Sequence, residues 1–187
     1  MEVGIKADWF GGRLSANLAV YEITRKNERV RDPNDTQRSI QIGEFRSRGG
    51  EIDLVGELTP NWRLLVGVGY IDAEVTEDSD PDNIGKRPSN IPRYSGHLWT
   101  RYDFVDTGLG LGGGLNYVGK RETFDESVVL PAYTVFDLAA YYKLGALDLA
   151  LNISNLTDER YFVGGFNDRM IFPGAPRTLS LTANYAF

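Results

Sequence analysis

Apolar residues recur at every second position along most of the chain. At the end of the sequence, Leu179, Leu181, Ala183, Tyr185 and Phe187 fall on one face and Thr178, Ser180, Thr182, Asn184 and Ala186 on the other. Leu147, Leu149, Leu151 and Ile153 alternate in the same way with Asp148, Ala150, Asn152 and Ser154, and Ile52, Leu54 and Leu58 oppose Glu51, Asp53 and Glu57. Trp62, Leu64, Val66, Val68 and Tyr70 oppose Arg63, Leu65, Gly67 and Gly69. A period of two is that of a β-strand with unlike faces. The charged and amide side chains of the second face would be costly to bury in a dry core, whereas a watery or plug-filled lumen hydrates them at little cost.

The connections between these strands alternate in length. Short ones fall near Gly11-Gly12, Thr59-Pro60-Asn61, Val105 to Gly108 and Gly145-Ala146, each with the Gly, Pro, Asn or Asp that tight turns use. Long polar ones run from about Lys26 to Arg38, Glu77 to Arg93, Glu122 to Pro131 and Thr157 to Pro176. About nine strands result, joined alternately by short turns and long loops. Outer-membrane barrels keep this asymmetry, with short periplasmic turns and long extracellular loops. The predicted fold is therefore all-β, an antiparallel up-and-down transmembrane β-barrel segment with its C-terminus in the periplasm. Trp9, Phe10, Trp62, Tyr102, Tyr142, Tyr185 and Phe187 sit near the short-turn ends and Tyr70, Tyr117 and Tyr133 near the long-loop ends, as two interfacial girdles require. Aromatics also favour strands for their own sake.

Composition narrows the functional classes. The 187 residues carry 26 acidic and 20 basic side chains, a net charge of −6, so the chain lacks the basic face a nucleic-acid binder needs. It has no cysteine, which removes disulfides, thiolate metal sites and a cysteine nucleophile together. No stretch approaches the ~18 uninterrupted apolar residues of a membrane helix, but a transmembrane strand needs only ~9 to 11 residues. Met1 leads into Glu-Val-Gly-Ile-Lys, without the basic and then apolar regions of a signal peptide, so the chain reads as a fragment or as cytosolic.

Three local signals point elsewhere when taken alone. Gly108, Gly110 and Gly113 fit GxGxxG, but an alternating strand follows where a dinucleotide site needs a helix; small residues there would let a plug approach or relieve strand curvature. Glu77, Asp78, Asp80 and Asp82 lack the ligand spacing and turn glycine of a calcium loop and read as a solvated loop. His97, the one histidine, shares a phase with Trp99 and Arg101 and reads as a lumen-facing structural residue. Neither a metal site, a cofactor nor a catalytic group is assigned.

With these features in place, the chain resembles the C-terminal barrel of TonB-dependent siderophore receptors of the ferrichrome and ferric-pyoverdine receptor type. The resemblance is carried in order by EVGIKADWFGGRLSANLAVYEITR, RSRGGEIDL, LTPNWRLLVGVGYIDAEVTED, NIPRYSGHLWTRY, GLGLGGGLNYVGK, LPAYTVFDLAAYYK, LALNISNLTDERYF and PGAPRTLSLTANYAF. It implies a barrel of about 22 strands around an N-terminal plug, of which residues 1–187 would be the C-terminal part, without plug, TonB box or signal peptide. It further implies a place in the bacterial outer membrane, a ferric siderophore as cargo, coupling to the TonB complex through the plug, and contact with outer-membrane lipid. Leu181, Tyr185 and Phe187 look like the terminal signal read by the barrel-assembly machinery. Gly50 departs from the family, which has a β-branched or apolar residue before Glu51, and beside Gly49 it should loosen the strand locally.

Within the loop Thr157 to Pro176, Arg160, Tyr161, Phe162, Phe166 and Arg169 are candidate contacts for an anionic, aromatic-bearing ferric chelate, since arginine attracts such a ligand and aromatic rings stack on it. The same residues could instead pack the barrel rim. Two alternatives to a receptor section stay open, a small stand-alone barrel of porin-like or structural type and a truncated remnant without function. A soluble β-sandwich enzyme has no nucleophile, base and orienting group at a suggestive spacing.

Overall fold

The computed structural model of the protein describes residues 1–35, 37–124 and 126–187; Thr36 and Asp125, in two of the predicted loops, lie outside the described residues. Among the described residues thirteen strands follow in chain order: β1 (Glu2–Trp9), β2 (Leu14–Arg31), β3 (Ser39–Thr59), β4 (Trp62–Glu77), β5 (Tyr94–Asp103), β6 (Leu109–Val118), β7 (Arg121–Glu122), β8 (Val129–Leu130), β9 (Tyr133–Leu144), β10 (Leu147–Ser154), β11 (Phe162–Asn167), β12 (Met170–Pro173) and β13 (Thr178–Tyr185). Nine of them form one sheet in the order β1-β2-β3-β4-β5-β6-β9-β10-β13, an up-and-down meander. Every pairing in it is antiparallel. The other four strands are two small hairpins, β7–β8 and β11–β12, lying inside the long connections after β6 and β10. β1 and β13 each keep one unpaired edge, so the sheet is open.

The four short turns stand where the sequence puts them. Gly108 shows why the turn chemistry is strict: its φ is +70°, and a Cβ there would lie 2.5 Å from the Lys143 carbonyl oxygen.

Strand register carries the alternation from one strand to the next without loss. Leu54, Ile52, Val66 and Val68 lie opposite one another, Val66 meets Leu98, Leu98 meets Leu115, and Leu115 meets Phe136. Ile153, Leu151 and Leu149 continue this face to Leu179, Leu181 and Ala183. Its side chains are open to the surroundings: Leu181 is 71% exposed, Leu179 64% and Val68 53%. A contiguous aliphatic surface of this size is incompatible with water and is what hydrocarbon covers. Trp62, Tyr102, Leu109, Tyr142, Leu147 and Tyr185 border it at the short-turn end, and Tyr70, Tyr94 and Tyr117 at the long-loop end. From Trp62 to Tyr70 the strand rises roughly 26 Å at ~3.3 Å per residue, a span suited to an apolar band ~25 Å tall on tilted strands.

Above the tyrosines the faces exchange character without a bulge. The outward positions become Glu22, Arg48, Asp72, Arg46 and Glu74, while the inward ones become Ile71, Ala73 and Val75, the last two buried. Arg48 pairs with Glu22, Arg46 with Glu74, and both Arg87 and Arg93 reach Asp72 at 2.7 and 3.2 Å. Register from Phe45 through Glu57 is uninterrupted, so the exchange is written in the sequence alone, by the adjacent apolar pair Tyr70-Ile71.

Three expectations change. The segment Lys26 to Arg38 is not a long loop, because β2 runs to Arg31 and β3 begins at Ser39; the polar sequence is an extended ribbon standing clear of the apolar band, tied by Lys26–Glu44. Tyr133 does not join the outer girdle. Its partner Val118 lies opposite Ser95, on the inward face, and the vacant girdle place belongs to Tyr94. Gly49-Gly50 does not break β3, since the Tyr21 ring lies over Gly49 and occupies the space a side chain would take.

Candidate functional site

The inward face is polar and ridged by large side chains laid across glycines. His97 lies over Gly67, where a Cβ would stand 2.2 Å from its Cε1 and 2.9 Å from the Asp53 carboxylate. The Trp99 ring covers Gly112 and Gly114 in the same manner. The glycine-rich run of β6 thus serves as a bed for its neighbour's side chains, and Gly110, of the apparent dinucleotide motif, receives Asp103 and Arg101. Near the short turns Arg101 donates to Asp103 at 2.8 Å and stacks over Tyr141 at 3.8 Å, while Arg63 reaches the same carboxylate at 3.1 Å. Such a paired, hydrated face suits a lumen.

At the long-loop end the two small hairpins gather against the inner rim. Asn155, 2% exposed, organises the start of the segment that carries β11 and β12. Its backbone N–H donates to Asp137 Oδ1 at 2.8 Å, its amide donates to the carbonyls of Glu159 and Ala175, and its Oδ1 accepts from the Glu159 N–H. Arg121 fixes the hairpin itself, donating to the carbonyls of Phe162 and Val163 at 2.6 and 2.8 Å. Asn90 adds a reciprocal pair, donating to Gly165 O and accepting from Gly165 N–H, both at 2.9 Å. A loop so held is a formed surface.

The sequence candidates divide into three places on that surface. Arg160, Tyr161 and Phe162 line one recess of about 360 Å³ with Asp158, Glu159, Pro173, Gly174 and Pro176. Tyr161 is committed to packing: its ring lies 4.4 Å from that of Tyr133 and over Gly174, where any Cβ would clash. Phe166 stands apart, stacked on Phe124 at 5.1 Å and nearly parallel to it. Arg169 sits in the tight turn between β11 and β12, its N–H on Asn167 Oδ1. Among the described residues neither Arg160 nor Arg169 makes an ion pair, so both guanidiniums are available to a ligand. The residues that shape the mouth, Asn90, Arg121 and Asn155, show no ligand chemistry in the sequence because they act on backbone groups, most of them distant along the chain. Asn155 had one legible sign, an Asn-Leu-Thr-Asp run leaving a strand.

Two carboxylates of the run Glu77, Asp78, Asp80 and Asp82 are engaged locally. Asp78 accepts from the Asp80 N–H, and Asp80 from the Asp82 N–H, capping a single 3-10 turn at Pro81–Asn83. Among the described residues no group of His, Asp and Glu could hold a metal ion.

Residues 1–156 match the family described as TonB dependent receptor-like, beta-barrel. The chain belongs to this family of TonB-dependent receptor barrels. It is 40% identical to the metal-pseudopaline receptor CntO of Pseudomonas aeruginosa over 98% of its own length and 27% of that receptor's. The ferrichrome outer membrane transporter/phage receptor of Escherichia coli is 32% identical, matched over the whole chain and 26% of the relative. Among solved structures, the siderophore receptor PiuA from Acinetobacter baumannii superposes with a TM-score of 0.87 at 29% identity, covering 98% of this chain and 28% of PiuA. The ferripyoverdine receptor of Pseudomonas aeruginosa, solved with ferripyoverdine bound, gives 0.82 at 26% identity, covering 98% and 26%. The chain thus spans about a quarter of the receptors it matches. As a TonB-dependent receptor barrel section it is all-β, and its named relatives are transport receptors, not enzymes.

Proposed function

We propose that the chain is the C-terminal barrel section of an energised outer-membrane importer of ferric siderophores or related metal chelates. The single observation that carries this reading is the opposition of faces across the sheet: a continuous aliphatic surface bordered by two aromatic rows on one side, and a hydrated, ion-paired surface on the other. Siderophore and metal-chelate uptake by the relatives supports the choice of cargo. In this reading Phe187 lies in the periplasm, the long loops face the medium, and Leu181, Tyr185 and Phe187 form the terminal signal for the barrel-assembly machinery. A plug outside residues 1–187 fills the lumen and couples to the TonB complex. The cargo meets Arg160, Phe162 and Arg169 at the mouth, where cationic side chains draw in an anionic chelate, while Tyr161 and Phe166 shape the rim.

The test is uptake of radiolabelled iron from a panel of ferric chelates by iron-starved cells whose only receptor carries this chain. Uptake that requires TonB is the expected result; equal entry of iron without TonB would favour a porin-like barrel. In the same cells the pair Arg160→Gln and Arg169→Gln should weaken chelate binding several-fold at low salt and less at high salt, because the lost attraction is screened.

A further inference from the structure

Among the described residues Arg121 is the one buried charged side chain, 6% exposed, and it makes no ion pair. Its terminal nitrogens donate to the carbonyls of Phe162 and Val163, and its guanidinium carbon lies 5.5 Å from the centre of the Tyr133 ring. Its Nε, also buried, has no hydrogen-bond partner. Carbonyl dipoles and a ring face offset part of the desolvation of a guanidinium, but they cancel none of its net charge. That charge stands one layer behind the recess of Arg160, Tyr161 and Phe162. Phe162, whose carbonyl Arg121 holds, lines the recess, and Tyr133, over which Arg121 lies, packs on Tyr161, which lines it too. The lining itself is not basic, since Asp158 and Glu159 stand in it beside Arg160.

We propose that Arg121 is a specificity-determining residue of the mouth, the buried positive charge that favours anionic over neutral chelates in this recess. The proposal rests on the function argued above. Two lining acids against one arginine would repel an anion. A guanidinium sealed behind the wall offsets them, and its grip on two backbone carbonyls holds it there. Protein, not salt solution, fills the space between Arg121 and the recess, so its field is weakened less by distance and by ionic strength than the fields of the exposed Arg160 and Arg169. A buried charge without a counter-ion is unfavourable, and an anion seated in the recess relieves it. A neutral chelate gains nothing from the same charge.

The test uses the intact receptor carrying this chain, in outer-membrane vesicles, and measures equilibrium binding of an uncharged ferric trihydroxamate and a triply anionic ferric tris-catecholate. The readout is the ratio of the two affinities, which a purely structural loss leaves unchanged because it weakens both. Arg121→Gln should reduce the preference for the anionic chelate roughly tenfold, and the reduction should persist at high salt, where exposed arginines are screened. Arg121→Lys keeps the charge and gives up the two-carbonyl grip, so it should weaken both chelates alike and preserve the ratio. A ratio unchanged by Arg121→Gln overturns the proposal and leaves Arg121 a structural clamp. If that variant does not reach the outer membrane, the pair Arg160→Gln and Arg169→Gln decides. With Arg121 intact, this double variant should still prefer the anion at high salt; loss of all preference there overturns the proposal. Iron uptake reads the underlying function separately. A receptor that imports no chelate overturns both; one that imports iron yet binds the anionic chelate no better than the neutral one overturns the role of Arg121 alone.

Discussion

Asn155 holds more of the mouth together than any charged residue does. Four hydrogen bonds converge on it in a site that water does not reach. Asn155→Ala keeps the backbone donor to Asp137 but strands the Glu159 N–H and two carbonyls, and each buried group left unmatched costs about 1–3 kcal/mol. Limited proteolysis should then cut between Thr157 and Pro176 while the rest of the barrel stays resistant; unchanged resistance would show that the hairpin is fixed by Arg121 and Asn90 alone. On the outer rim, Glu22 and Glu44 titrate below the usual carboxylate range, the first because Arg48 hydrogen-bonds to it and the second because Lys26 and Thr76 do. A carboxyl whose folded value is depressed stabilises the fold fully above its unfolded value, about 4.3, and loses that contribution as the pH falls through the folded one. Amide protection factors in the β2–β3 ribbon, taken relative to the intrinsic exchange rate at each pH, should therefore be constant at neutral pH and fall only below about pH 4. A fall already between pH 8 and 6 would assign the ribbon's order to something other than these pairs. The Arg48–Glu22 pair is solvent-exposed on both sides, so high salt should shrink its share of the effect.

Strands are the level at which the sequence was most legible. Alternation in β4, β10 and β13 placed each side chain on its observed face, because a period of two leaves no freedom once the turns are known. The glycines were read only in part. That small residues relieve crowding could be anticipated, but that Trp99 is the group relieved depends on the register of β5 against β6, which no single strand encodes. Gly114→Ala would place a methyl 2.7 Å from the Trp99 ring and closer still to the Leu98 carbonyl, so it should destabilise by about 1–3 kcal/mol and shift the tryptophan emission on refolding. Gly69→Ala meets only Ser95 Oγ at 3.5 Å and should be tolerated, which separates the packing argument from a general need for glycine. The β2–β3 ribbon was missed because its outer face is charged like a loop. Its strand pairing continues past an irregularity at Asn27, whose φ is +60°, and resumes from Glu28 to Arg31, not because of hydrophobic pattern. Tyr133 was misplaced for a related reason: being near a strand end fixes its height but not its face.

For the molecule as a whole, faces and orientation decide what a charge costs. Leu181→Arg puts a cation on the aliphatic surface at a cost of ~2–4 kcal/mol at mid-bilayer, whereas Thr182→Arg points to the hydrated side, opposite Ala150. Heat-modifiable gel migration of the two receptor variants should show impaired insertion for the first and normal insertion for the second; the reverse result would invert every face assigned here. The candidate site was less legible than the fold because ligand contact and structural support use the same residue types. Tyr161 and Phe166 suit stacking on a ligand by residue type, and in the fold their rings also pack against Tyr133 and Phe124. The exchange of faces at Tyr70-Ile71 bears finally on the bilayer itself. Since Asp72 and Glu74 follow directly above the tyrosines, the wall has no spare apolar length with which to accommodate a thicker membrane, and in a thicker one the lipid must thin around it at a cost that grows with each ångström of mismatch. These strands therefore act as a depth gauge for the membrane that holds them.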